Sequence, residues 1–599
     1  MHRCFRARGC GTAVRKITFW NGGHSLWLVF VLVGHCRSGC AGAHSRIKGA
    51  TDMIRRLVLL FLLFGLTGPT VVEAQRSPRL SRRVTRDSQE AEVFFGTLDA
   101  IRDYALETRG DSLLWEMAID GLIKELGDPY ATVLSPAEVA AFEEQSTGDY
   151  AGIGIAISEL NGSVTITTVF GGTPAENAGL LVGDRIIGVN SDEGDGWSVD
   201  EASSRIRGQP GTSVVVYISR DGIAQPIPFD IERDEVHIPA VRYQQIFEDI
   251  SYIVLDRVTR NSAAEVDSVL TEIGDSRGIV FDLRRNPGGY LDEALNLSDL
   301  FLDRGSVLVT TKSRTRGSRG DLREESARAR VTPRVADLPI VILVDQYSAS
   351  AAEIIAGALQ DHDRALVLGE RTFGKGLVQS VIPLPEGRLI RITSGEWYTP
   401  QGRSLHRPRD IDGRVIGPDS IPEFVSMGGR RLLGGGGVFP DLEILSDTLS
   451  SGEQAFLNAT VEAEFPLQTR IQEAALAAVQ QARNAPDGDQ PEFPSEVLPN
   501  LFASIMEEGS PVELTEEAME YIAWRAEVVF HQRLGQDSRG LEIQSERDTV
   551  LQTAVRFLQS ADDQAGLFAL ALAENEARAQ TDTNANAEAV DAGSPGSAQ

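Results

Sequence analysis

The chain has 599 residues, which a soft prior of roughly 150 residues per domain divides into several domains. Its net charge of -29 excludes the basic surface that phosphate backbones need, so nucleic acid is not an expected partner. All four cysteines (Cys4, Cys10, Cys36 and Cys40) lie near the N-terminus, so the body of the chain has no disulfide, Cys metal site or Cys nucleophile.

Residues 53–74 read as a complete secretory signal. Arg55 and Arg56 supply the positive start, Leu57 to Leu66 the short apolar run, and Val72-Glu73-Ala74 a small-x-small cleavage site. The expected true start is Met53 and the mature start Gln75, with residues 1–52 an upstream extension. An uncleaved anchor is the alternative, as is a real long N-terminus with an apolar piece at Leu26–Val33. Either way the chain is expected to be exported, and periplasmic in a two-membrane bacterium.

Residues 75–92 are a polar linker. Phe94, Leu98, Ile101 and Ala105 follow helical spacing, as do Leu114, Ala118, Leu122 and Leu126. Asp128-Pro129 ends the second helix, and Ser135-Pro136 with Glu138 caps a third. From 147 to 235 short β-like runs (Ile153–Ile157, Val164–Val169, Val214–Ile218) alternate with Gly, Pro and Asp turns. From 236 to 445 strand-like runs alternate with helical ones, which suggests an α/β layer architecture. The Arg-rich stretch 313–330 reads as an exposed mobile loop. Residues 446–580 are helical and acidic, interrupted by a loop at Asn484–Pro494. The tail 581–599, mostly Ala, Asn, Asp, Gly and Ser, carries almost no large apolar side chain and is expected to be disordered.

The chemistry concentrates between Asp345 and Gln379. Ser350-Ala351-Ala352-Glu353 before an apolar helix is a capping box, which by itself needs no catalytic role. Around it, however, the strand-like Val341–Val344 and a turn of small residues leave room for a substrate. The unpaired N–H groups of a helix start also suit a developing oxyanion. Lys375 stands between glycines, a common setting for an exposed turn lysine. Gly369 to Gly376 nearly matches the phosphate-binding G-x-x-x-x-G-K-[ST] loop. It lacks the final hydroxyl, and a strand-like run follows where that loop needs a helix. A serine nucleophile would need a base. His362 and His406 remain open as members of a triad, and a lysine base would have to be desolvated to be neutral.

The order of motifs resembles the carboxyl-terminal processing peptidase (tail-specific protease) family. These motifs are Asp282-Leu283-Arg284-Arg285-Asn286-Pro287-Gly288-Gly289, Ser348-Ala349-Ser350-Ala351-Ala352-Glu353-Ile354, Phe373-Gly374-Lys375-Gly376-Leu377-Val378-Gln379 and Tyr398-Thr399-Pro400-Gln401-Gly402. The resemblance implies a serine endopeptidase with Ser350 as nucleophile, Lys375 as general base and Gln379 orienting the lysine. It implies an oxyanion hole from the Ala351 N–H and an N–H of the Gly288-Gly289 turn, with either glycine the donor. No metal or organic cofactor is implied.

Residues 147–235 resemble the PDZ domain of that family. Gly152-Ile153-Gly154-Ile155 would capture a chain-end carboxylate beside a strand edge that accepts the peptide. The fold class that results is multidomain α+β. A linker and N-terminal helical segment (75–146) precede a PDZ domain (147–235), a crotonase-like α/β peptidase core (236–445) and a helical C-terminal region (446–580). The partners implied are unfolded proteins or proteins with exposed C-termini. Amphipathic spacing at Ile471, Leu476 and Val479, and at Tyr521, Trp524, Val528 and Val529, suggests self-association or adaptor docking through 446–580. The competing reading is a non-catalytic PDZ scaffold or chaperone-like binder on a protease fold.

Overall fold

The computed structural model describes residues 14–21 and 24–31 and most of the chain from Ser88 to Ala592; residues 1–13, 22–23, 32–87, 195, 248, 315–321, 417–420, 446–448, 484–490, 507–511 and 593–599 lie outside the description. Residues 1–84 form a unit by themselves, in which strands Val14–Asn21 and His24–Val31 pair as an antiparallel hairpin. The signal-like segment 53–74 and the four cysteines fall outside the described residues.

In the main unit, helices Gln89–Tyr104 and Asp111–Glu125 come first. Their apolar residues are largely uncovered: Val93 is 65% exposed and Leu122 72%. Ser135 then caps helix Pro136–Thr147 with the expected reciprocal bonds to Glu138.

The next layer is a sheet in the order Ile227–Glu232, Ser213–Ser219, Arg185–Val189, Ser163–Val169, Ile155–Leu160. Its core holds Ile166, Val214, Val216 and Ile218, all fully buried. The sequence pattern starts the last of these strands at Ile153. The structure starts it at Ile155, because Gly154 takes φ +89° and breaks the extended run. A two-stranded ribbon, Asp149–Gly152 against Asp234–His237, carries the chain into and out of this domain.

Residues 236–445, the expected peptidase core, hold a six-stranded sheet ordered Val241–Ile246, Ile250–Leu255, Gly278–Asp282, Ile340–Val344, Leu366–Gly369, Leu442–Glu443, parallel after its first antiparallel pair. Four of its strands are buried at every position, as parallel strands covered on both faces are. Helices Ser262–Glu272, Leu291–Asp299 and Ala351–Asp361 cover one face. Val550, Leu551, Phe557 and Leu558 of helix Thr549–Ser560 cover the other. Part of the C-terminal region is therefore a wall of this sheet. The rest, helices Ser451–Glu462 to Glu516–Arg533, packs around its own core. Ile471, Val479, Val528 and Val529 are buried there, so most of the apolar face that suggested self-association is used within the chain. This bundle also meets the PDZ domain: Asn161 N donates to Glu473 Oε1 at 2.8 Å and Arg483 to the Val182 carbonyl at 2.8 Å.

Two expectations are corrected. The Arg-rich stretch 313–330 was expected to be a mobile loop, but Ser313, Arg314 and residues 322–328 belong to the paired strands Val307–Arg314 and Leu322–Arg328. The tail continues as helix to Ala592 where disorder was expected, because its Ala and Glu residues favour helix whether or not they bury anything.

Candidate active site

Ser350 ends the turn between strand Ile340–Val344 and helix Ala351–Asp361. Its backbone sits at φ 55°, ψ -113°, a region that costs a non-glycine residue about 1–3 kcal/mol and persists only where the surroundings impose it. The surroundings are explicit. Asp345 Oδ1 accepts from the N–H groups of Arg285, Tyr347 and Ser348 at 2.9–3.0 Å. Ser348 Oγ donates to the Leu283 carbonyl at 2.8 Å, and Ala349 N donates to the Asn286 carbonyl at 2.9 Å. The serine turn and the Asn286–Gly289 turn are thereby locked together.

Gly288 has to be glycine. At φ +91°, a Cβ there would lie 2.6 Å from the Ala349 carbonyl oxygen, 2.8 Å from Ala351 N and 2.9 Å from Ser350 Cβ. Its own N–H donates to Asn286 Oδ1 at 2.8 Å. Among the hydrogen bonds of the described residues, the N–H groups of Ala351 and Gly289 meet no acceptor.

Lys375 lies just before strand Leu377–Pro383, the strand that excludes a phosphate loop. Its Nζ donates to Gln379 Oε1 at 3.1 Å and stands 4.9 Å from the centre of the Tyr130 ring. Gln379 Nε2 donates to the Tyr130 carbonyl at 3.0 Å. Burial pulls the Lys375 amine below the usual lysine value and the Arg391 charge adds to this, while Glu353 and Asp128 pull the other way. Nζ bonds to Gln379 in this structure, and no hydrogen bond joins it to Ser350 Oγ.

Asp128 was read only as part of a helix stop, and Tyr130 was not singled out. They arrive because Thr132–Leu134 pairs with residues 389–391 of strand Leu389–Tyr398, which also pairs with Val307–Arg314 and Leu377–Pro383. Asp128 Oδ2 also accepts from Thr393 N at 3.1 Å. The sequence signal was Asp128-Pro129-Tyr130, a helix stop followed by an aromatic. The histidine alternatives lie elsewhere. His362 closes the far end of the 351–361 helix, with Nε2 2.8 Å from the Val307 carbonyl. An eleven-residue helix, about 16 Å long, separates it from Ser350. His406 packs its backbone against Gly376, and burial lowers the pKa of its ring.

The second candidate site is a groove of about 280 Å³ between strand Ile155–Leu160 and helix Val199–Ile206. Of the four residues expected at its carboxylate end, Gly152, Ile153 and Ile155 line it. Gly154 turns the chain beneath it, close enough to Thr173 that a Cβ would overlap that side chain at 2.3 Å. Ile157, Phe170 and Ile206 give the groove an apolar interior, and strand Ile155–Leu160 is a free sheet edge. Tyr150 and Arg207 stack at its mouth, the guanidinium 5.0 Å from the ring centre.

Known proteins match along the same lines. A family model for peptidase family S41 matches residues 249–416, and one for the PDZ domain matches residues 141–219. A carboxy-terminal-processing protease of Bartonella bacilliformis is 32% identical over 382 residues, covering 62% of this chain and 83% of the relative. A probable CtpA-like serine protease of Staphylococcus epidermidis is 31% identical, covering 63% and 74% respectively. A solved photosystem II D1 C-terminal processing protease is 27% identical over 54% of this chain and 85% of its own, with a TM-score of 0.29.

Proposed function

The chain belongs to peptidase family S41, among the carboxy-terminal-processing serine proteases with a PDZ domain, and we propose that it is an exported endopeptidase working through a Ser350–Lys375 dyad. The observation that carries the dyad is the lysine's setting: a buried amine, depressed below its usual pKa, held by Gln379 under the Tyr130 ring. A neutral lysine is the form a general base requires.

In the proposed reaction, Ser350 Oγ attacks the scissile carbonyl while Lys375 Nζ takes its proton. The oxyanion is received by the N–H of Ala351 and that of Gly289. Gly289 is favoured over Gly288 because the Gly288 N–H is already bonded to Asn286. The protonated lysine then gives its proton to the leaving amine. Water, deprotonated by the same lysine, releases the acyl group. Closing the Ser350–Lys375 gap requires the neutral amine to turn from Gln379 Oε1 toward Ser350 Oγ, and catalytic contacts often tighten only with substrate bound.

The PDZ groove is proposed to take an unstructured apolar C-terminus, with its carboxylate at the 152–155 turn and its backbone added to strand Ile155–Leu160. Export is proposed from the signal-like residues 53–74. N-terminal sequencing of the protein recovered from the periplasmic fraction should begin at Gln75; an intact Met1 start in the cytoplasm would end that reading. Self-association, if it occurs, is better assigned to the exposed apolar side of the 89–125 helices than to 446–580. A light-scattering mass above the monomer that Leu122→Glu returns to monomer is the expected result.

The decisive experiment is cleavage of an unfolded protein with an apolar C-terminus by the chain from Gln75, beside Ser350→Ala and Lys375→Ala. Both variants should be inactive. Activity surviving Lys375→Ala would move the base to a histidine, with His406, packed against Gly376 beside Lys375, the first to test. An inert wild type that still binds the peptide would favour the scaffold reading.

A further inference from the structure

Among the described residues, four Ser-x-x-Glu boxes open helices, and one is unlike the rest. Glu138 and Glu201 are exposed, bond to their own caps, and have pKa values lowered by those bonds. Glu453 also caps its own helix and pairs with Arg547. Glu353 is fully buried and has no ion-pair partner among the described residues. Its carboxylate instead accepts four hydrogen bonds. Oε2 takes the N–H of Ser350 at 2.8 Å and the N–H of Lys375 at 2.8 Å. Oε1 takes the Thr372 hydroxyl at 2.5 Å and the N–H of Gly374 at 2.7 Å. Thr372 is itself fixed, receiving the Val438 N–H on Oγ1 at 2.7 Å.

We propose that Glu353 is a positioning residue for hydrolysis: a single carboxylate oxygen clamps the backbone of the nucleophile to the backbone of the base. The inference rests on the Ser350–Lys375 reading. Three points on the page support it. An ordinary capping glutamate serves one helix, whereas this one joins that helix to a loop some twenty residues on. The bond to the Ser350 N–H helps hold the serine in its unfavourable φ, which gives the strain a local cause. Burial pushes the carboxyl pKa up, while the hydrogen bonds from Thr372, Lys375, Gly374 and Ser350 oppose it by favouring the anion. That anion is one of the charges acting on the Lys375 amine, in the direction that favours the ammonium. Glu353 therefore sets both where the base stands and how easily it loses its proton.

Two substitutions separate these roles. Glu353→Asp keeps the charge and shortens the reach, so Oδ can no longer hold both N–H groups. Glu353→Gln keeps the length and removes the charge, and its amide turns a donor toward N–H groups. For a fluorogenic peptide with a free apolar C-terminus, both should lower kcat about tenfold to a hundredfold with KM little changed. Only Glu353→Gln should move the lysine limb of the pH–kcat/KM profile, to lower pH by about half a unit, because the charge favouring the ammonium is gone. A simple helix cap would lower thermal stability without moving that limb. If Glu353→Gln does not fold, Thr372→Val removes one of the four donors and should cost several-fold in kcat. The clamp is overturned if folded Glu353→Asp and Glu353→Gln retain wild-type kcat and the wild-type limb while Lys375→Ala is dead. The dyad reading survives that result. If Lys375→Ala is active, the dyad reading falls and the clamp falls with it.

Discussion

Around Ser350 the turns are closed by hydrogen bonds that Asp345, Ser348, Asn286 and Glu353 make at 2.5–3.1 Å. The PDZ groove is the reverse: an open channel of about 280 Å³ with apolar walls and an unpaired strand edge. Catalysis needs groups fixed before the substrate arrives, because atoms misplaced by an ångström lose rate steeply. A peptide reader needs unspent backbone donors and apolar surface, because its affinity comes from covering them. The two regions are joined by the thin ribbon 149–152/234–237.

Substitutions should therefore separate kcat from peptide affinity. The largest effect expected is from Lys375→Ala, a loss of at least about 10³-fold in kcat, with the dissociation constant of a C-terminal peptide unchanged by fluorescence anisotropy. In the wild type, kcat/KM should climb with pH and level off below the ordinary lysine value, because the base must be neutral and its pKa is lowered. A limb at or above that ordinary value would contradict the buried base.

Gln379→Ala should cost less, about 10- to 100-fold in kcat, since it frees the amine without removing it. On the groove side, Phe170→Ala should weaken binding of an apolar C-terminus about tenfold, the equivalent of roughly 1.4 kcal/mol of lost apolar contact. It should raise KM while kcat at saturation stays within about twofold. A matching fall in kcat would mean that the groove also shapes the catalytic cleft.

The smallest effect concerns the ribbon. His237 lies 2.6 Å from Asp149 Oδ1 and 3.1 Å from Glu265 Oε1, bridging the ribbon to the helix Ser262–Glu272. Burial pulls its pKa down, but the two carboxylates outweigh this and leave it raised. A raised histidine contributes its stabilisation in full below the unfolded value, near 6.5, and loses it as pH rises through the folded pKa. Amide exchange in the ribbon should quicken, after correction for intrinsic rates, as pH passes through that window. His237→Gln should remove the pH dependence.

The sequence made much of this legible because the nucleophile region is local. Ser350, its helix and the preceding strand lie within about twenty positions, and apolar runs with turn residues mark them directly. The base site was only half legible. Tyr130, whose ring and carbonyl frame Lys375 and Gln379, is 249 positions from Gln379 in sequence. It reaches them through a three-residue strand too short to read from pattern. Glu353 was legible as a helix cap, since Ser-x-x-Glu is a local signal. Its bonds to Thr372, Gly374 and Lys375 were not, since they depend on which loop the fold brings to that helix start.

The helices draw the same boundary. The spacing of Phe94, Ile101 and Leu122 and that of Ile471, Val479 and Val529 announce the same amphipathic face. Tertiary structure leaves the first set largely exposed and buries the second in a bundle, while Val550 to Leu558 cover the back of the catalytic sheet. Periodicity fixes that a face exists, because side-chain direction follows from backbone geometry alone. What covers that face depends on contacts between segments distant in the chain, and those are decided only when the whole chain packs.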